Sequence, residues 1–236
     1  MMGLARPAPQ SRTIEAMTFE ERLRQESLRL YDRYAREIVE GLSFCPYAAS
    51  SREAGRVSVV ALISPLDATS VAVAIEAIAM HDEADIGIVL LPLFSGSRGA
   101  LSRFAGEVRE LIPSRDARSF AIADFHPDSV PSIEAPGDFT SFIRRTPDPT
   151  LQLVRMSALN QVRTREGHGS GFVDPSQLGS LEALRAPTQA PLHERIADLN
   201  RATVARAGLA AIEARLEAIH RDRRDTHARI REEFGL

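Results

Sequence analysis

Lysine is absent from this chain: all 29 basic residues are arginine. The absence excludes a lysine Schiff base, pyridoxal-phosphate chemistry and a Walker A phosphate loop, each of which needs an ammonium group. Any anionic ligand must therefore be held by arginine, by backbone N–H groups or by a metal. Cysteine occurs once, at Cys45, so no internal disulfide and no multi-cysteine zinc site can form. No run approaches the roughly 18–20 apolar residues that span a bilayer. There is no basic excess either, the formal net charge being -3, which argues against a nucleic-acid partner. The segment from Met1 to Arg12 is polar, with two prolines and no apolar centre. It reads as a disordered lead-in (residues 1–17) rather than a secretory signal. A cytoplasmic location is the default expectation.

What is present fits a globular protein: 44% hydrophobic and 26% charged over 236 residues. An α/β core domain is expected over residues 18–165. Leu23, Leu30, Tyr31, Tyr34, Ile38 and Leu42 recur at spacings of three and four, predicting a helix from Thr18 to Leu42 that stops before Pro46. The β-branched run from Val57 to Ile63 predicts a strand, residues 67–81 a helix, and the apolar run from Ile86 to Phe94 a buried strand. A helix over 101–112 and a strand over 119–125 follow. This βαβαβ order predicts α/β layering, with a ferredoxin-like α+β arrangement as the competing topology.

Beyond Phe125 the chain is rich in proline. Thr150 reads as an N-cap, predicting a helix over 150–164. Residues 166–191, rich in Gly, Pro and Ser, read as a linker or a lid carrying His168. Residues 192–236 predict one long helix, which either packs on the core or pairs with a second copy to make a homodimer.

Three segments carry candidate chemistry. In Gly41-Leu42-Ser43-Phe44-Cys45-Pro46-Tyr47-Ala48 the thiol closes a helix, whose partial negative charge disfavours a thiolate. Activation therefore requires an arginine or histidine nearby in space. In Asp124-Phe125-His126-Pro127-Asp128 the proline confines His126 to extended geometry at a strand end, where ligands of α/β sheets collect. Asp124 or Asp128 would orient the ring of a general base or metal ligand. In Arg144-Arg145-Thr146-Pro147-Asp148-Pro149-Thr150 and the residues after it, Arg145 and Arg155 could clamp a carboxylate or phosphate, with Arg144 and Tyr47 as further binding residues. The loop Ser95 to Gly99 is a weaker anion cradle, and the other histidines show no metal-ligand spacing.

Taken together, the segments Gly41–Ala48, Phe125–Pro127 and Arg145–Arg155 resemble the domain-of-unknown-function family numbered 1415. The resemblance implies that Cys45, His126, Arg145 and Arg155 form a shared site, and it supplies no reaction. The chain departs from the family pattern at Arg144, Asp148 and Gln152, where the pattern has asparagine, an aromatic residue and histidine. The leading expectation is a small-molecule enzyme acting on an anionic substrate, with Cys45 as nucleophile and His126 as acid or base. The alternatives are a haem or metal protein using His126 or Cys45, and a non-catalytic dimeric binding module.

Overall fold

The computed structural model describes residues 17–45, 48–64, 66–81, 83–112, 120–129, 144–158 and 192–236. Most of the lead-in, Tyr47 and the whole 166–191 segment with His168 lie outside the described residues.

Helix α1 (Phe19–Tyr34) starts where Thr18 caps it. The Thr18 hydroxyl accepts from the Glu21 N–H, and the Glu21 carboxylate accepts from the Thr18 N–H, a reciprocal box that satisfies two otherwise orphan donors. Its buried residues, Leu23, Ser27, Leu30 and Tyr34, sit four, three and four apart. The helix does not run on as an α-helix to Leu42: residues Ala35–Glu40 form a π-helical turn. Helix α2 (Ala48–Glu53) follows.

Strand β1 (Val57–Ala61), helix α3 (Ala68–Ala79), strand β2 (Ile86–Leu90), helix α4 (Arg98–Leu111) and strand β3 (Phe120–Phe125) succeed one another as the hydrophobic pattern requires. Asp67 caps α3 through the Ser70 N–H, and Ser97 caps α4 through the Ala100 N–H. The fourth strand, β4 (Thr150–Arg155), overturns the helix expected over 150–164. Leu151 and Leu153 are fully buried while Gln152 and Val154 are only half-buried, a period of two that belongs to a strand. Thr150 is no N-cap, since its hydroxyl donates to the Asp148 carbonyl at 2.7 Å. Neighbouring strands on both sides supply the hydrogen bonds that make the strand the better solution.

The sheet order is β1-β2-β4-β3, mixed rather than all parallel. β1 pairs with β2 in parallel, and β4 runs antiparallel to both β2 and β3. The carboxyl ends of β1, β2 and β3 therefore share one edge with the start of β4. One sheet face carries Val60, Val89, Leu151 and Leu153 and packs on α3 and α4. Gly87 lies on that face because an added Cβ would meet Leu153 Cδ1 at 2.7 Å and Ile78 at 3.0 Å. The other face carries Val57, Val59, Ala61, Ile86, Ile88 and Leu90, under Leu28 and Tyr31 of α1.

The expected single C-terminal helix is two, α5 (Leu192–Ala207) and α6 (Leu209–Glu233), broken at Gly208, whose φ of +80° favours glycine. Helix α6 packs on the core: its Ile212, Leu216 and Ile219 meet Tyr34, Ile38 and Phe44, and its Ile230 meets Leu23 and Ile63. Among the described residues no helix is long and apolar enough to cross a membrane.

Candidate functional site

The α1 face of the sheet is not filled. Between it and α1 lies a cavity of about 470 Å³, within the range of small-molecule sites. Its floor is Val57, Val59, Ile86, Ile88 and Gln152; its roof is Leu28, Tyr31 and Tyr34 with Ala35 and Val39 of the π-helical turn. Phe44, Cys45, Phe125 and Arg144 stand on its wall, and Ala48 with the charged side chains of Asp32, Glu40 and Arg52 lines the rest. The exposed lining is mostly aliphatic and aromatic, with charged groups at Asp32, Glu40, Arg52 and Arg144.

Local chain geometry delivers Cys45 to this wall. The π-helical turn ends in a Schellman arrangement, with the Phe44 N–H donating to the Val39 carbonyl and the Ser43 N–H to the Glu40 carbonyl, both at 2.9 Å. Ser43 takes the left-handed position, φ +56°, that glycine usually holds. The reversal buries Phe44 and leaves Cys45, which is in no disulfide, beside the cavity. Arg52 of α2 ties the rim together: it donates to Glu40 and to Asp32, linking α2, the π-helical turn and α1.

Two partly buried guanidinia line the cavity, Arg52, which is paired with Asp32 and Glu40, and Arg144. The Arg144 Cζ lies 5.2 Å from the centre of the Phe125 ring. Burial pushes its pKa down, with the nearby Asp124 carboxylate opposing the effect. Among the described residues no carboxylate pairs with it, Asp124 acting on it only through space; Asp124 itself accepts from the Ser102 hydroxyl at 2.7 Å. Tyr34 is buried and Tyr31 partly so, and desolvation holds both hydroxyls protonated, their pKa values raised.

The other expected site residues go elsewhere. His126 lies outside the cavity, in a cleft at the carboxyl edge with Gly96, Pro147 and His220. Its Nδ1 accepts from the Asp128 N–H at 3.1 Å, so the neutral ring carries its proton on Nε2, 3.0 Å from the Gly96 carbonyl. Both nitrogens are thus engaged by backbone, and the carboxylates of Asp124 and Asp128 do not orient the ring as expected: Asp128 Oδ2 stands off at 3.8 Å.

Arg145 and Arg155 do not form a clamp. Arg145 is buried and grips Glu213 of α6 in a bidentate pair at 2.9 and 2.6 Å. Arg155 lies at the far end of β4, about 17 Å of strand from Thr150 at ~3.3 Å per residue. There it donates to the carbonyls of Ala84, His81 and Ala79, closing the C-terminal end of α3, and stacks over Phe120. Among the described residues no group of three or more His, Cys, Asp or Glu side chains is placed to hold a metal ion.

Of the expected set, the fold brings together Cys45 and Arg144, and it adds Tyr31, Tyr34, Phe125 and Gln152. Tyr31 and Tyr34 were visible in the sequence only as members of an apolar stripe. Gln152 stands out in the sequence only as a departure from the family pattern, and a helical segment gives it no facing; the alternation Leu151-Gln152-Leu153 is the signal that places it on the opposite face from the core leucines.

A family model described as "Protein of unknown function (DUF1415)" matches residues 28–167. Every described residue lining the cavity, from Leu28 to Gln152, falls inside that span, whereas α5 and α6 fall outside it. No curated protein matches the chain, and no solved structure does.

Proposed function

The chain belongs to the DUF1415 family, and we propose that its cavity binds a small, mostly apolar molecule carrying one anionic group, with Arg144 holding the anion and Cys45 as the reactive side chain beside it. The observation that carries this reading is a half-buried guanidinium, paired with no carboxylate among the described residues, at the wall of a mostly apolar cavity. Removing a cation from water is costly unless a counter-charge replaces the lost hydration. A ligand carboxylate would supply that charge, and its apolar body would cover the aliphatic floor. The Gln152 amide adds neutral hydrogen-bonding capacity within the same wall. Activation of a thiol at a helix end calls for a nearby cation, and Arg144, which lines the same cavity as Cys45, is the candidate for that role. As an enzyme, the protein would use Cys45 as nucleophile without His126, whose two ring nitrogens are already occupied.

Octanoate and 1-octanol, which differ in the head group, test the reading by calorimetry. Octanoate is expected to bind one-to-one and to slow N-ethylmaleimide labelling of Cys45, the only thiol in the chain. Arg144→Ala should weaken octanoate at least ~10-fold, the scale of a lost charge-assisted hydrogen bond, and leave 1-octanol nearly unchanged. Equal loss for both compounds, or no binding of either by the native chain, would sink the proposal.

A further inference from the structure

Arg144 and Arg145 are adjacent, yet their side chains leave the backbone in different directions. Arg144 lies over Phe125 beside the cavity, whereas Arg145 reaches α6. The backbone between them is tied at both residues. The Arg144 carbonyl accepts from the His126 N–H at 3.1 Å, and the Arg145 carbonyl lies 3.1 Å from His220 Nε2. A carbonyl can only accept, so His220 carries a proton on Nε2 and donates; burial lowers the pKa of the ring. Beyond the carbonyls, both terminal nitrogens of Arg145 are held by the two oxygens of Glu213.

Glu213 and His220 are seven residues apart, two helical turns, and so present one face of α6 to this segment. A guanidinium gripped in bidentate fashion has little freedom to swing. Turning the peptide to send Arg144 into solvent would break that grip and the His220 bond together. Resting on the cavity reading above, we propose that Glu213 and His220 are positioning residues for ligand binding. Helix α6, which lies outside the matched family span, clamps Arg145 and thereby aims the neighbouring Arg144 at the anion.

The test compares octanoate and 1-octanol binding in the full-length chain for Glu213→Gln, with and without Arg144→Ala. Glu213→Gln is expected to weaken octanoate by about 5- to 20-fold, in the range of a misplaced charge-assisted contact, while 1-octanol binding holds. In the Arg144→Ala background the same change should cost octanoate nothing further, because the side chain it aims is gone. A merely structural role would weaken both ligands alike and would do so in either background; that result overturns the inference. His220→Phe, which keeps the ring volume and removes the donor, gives the same readout if Glu213→Gln fails to fold. If the native chain binds neither compound, the cavity reading fails and the positioning role falls with it. If the native chain binds octanoate but Glu213→Gln and His220→Phe leave the octanoate-to-octanol ratio unchanged, only the positioning role falls.

Discussion

The Arg223 guanidinium on α6 donates through Nε to Oδ1 of Asp148 at 2.9 Å, and Asp148 is 1% exposed. The second carboxylate oxygen, Oδ2, has no hydrogen-bond partner among the described residues. A second guanidinium nitrogen of Arg223 reaches the Pro92 carbonyl at 3.3 Å, so one side chain joins α6 to the turn after β2 and to the segment before β4. Removing one partner of a buried ion pair strands the other charge, which costs more than the pair contributes. Arg223→Ala should therefore lower the unfolding free energy by about 3 kcal/mol in urea titration. The double change Arg223→Met with Asp148→Leu should recover most of that loss, because neither charge is then buried alone. An Arg223→Ala protein as stable as the native chain would contradict the account.

Asp222 holds α6 to α1 through a different pair of contacts. Its carboxylate accepts from Arg29 and Arg33 at 2.8–3.0 Å, and these partners depress its pKa from the usual value to about 2. A carboxylate with a depressed folded pKa binds fewer protons folded than unfolded, so its contribution is complete above about pH 4 and is lost as the pH falls towards 2. Asp222→Asn should reduce stability at neutral pH by roughly 1 kcal/mol, allowing for solvent screening of a partly exposed pair. The acid limb between pH 4 and 2 should be correspondingly shallower. Thermal melts across that window measure both effects, and parallel curves for the two proteins would exclude the linkage.

His126 separates a structural role from a catalytic one. Its ring fills a buried position and bonds two backbone groups, the Gly96 carbonyl and the Asp128 N–H. His126→Ala removes both bonds and leaves a void, at an expected cost of about 2–3 kcal/mol. The octanoate affinity of the folded fraction should stay within about 3-fold of the native value, since the ring does not line the cavity. A stable His126→Ala protein that no longer binds octanoate would place the imidazole in the ligand site after all.

What the sequence determined by itself is what short-range physics can decide. The capping box at Thr18, the caps at Asp67 and Ser97, the stripe of α1 and the β-branched run of β1 are local patterns, and each element forms where its pattern lies. The absence of lysine likewise left arginine as the only permanent cation for an anionic ligand. The tertiary structure decided the rest. Thr150–Arg155 carries residues that suit a helix or a strand, and it becomes a strand because β2 and β3 offer hydrogen bonds on both edges. Which of the three arginines faces the cavity was equally beyond the sequence. Arg145 is taken by Glu213, 68 residues away, and Arg155 by carbonyls 71 to 76 residues away, and Arg144 is left to line the cavity. Pairings of that span arise only when the chain closes, because no local rule sets which distant partner a long, flexible cation will meet.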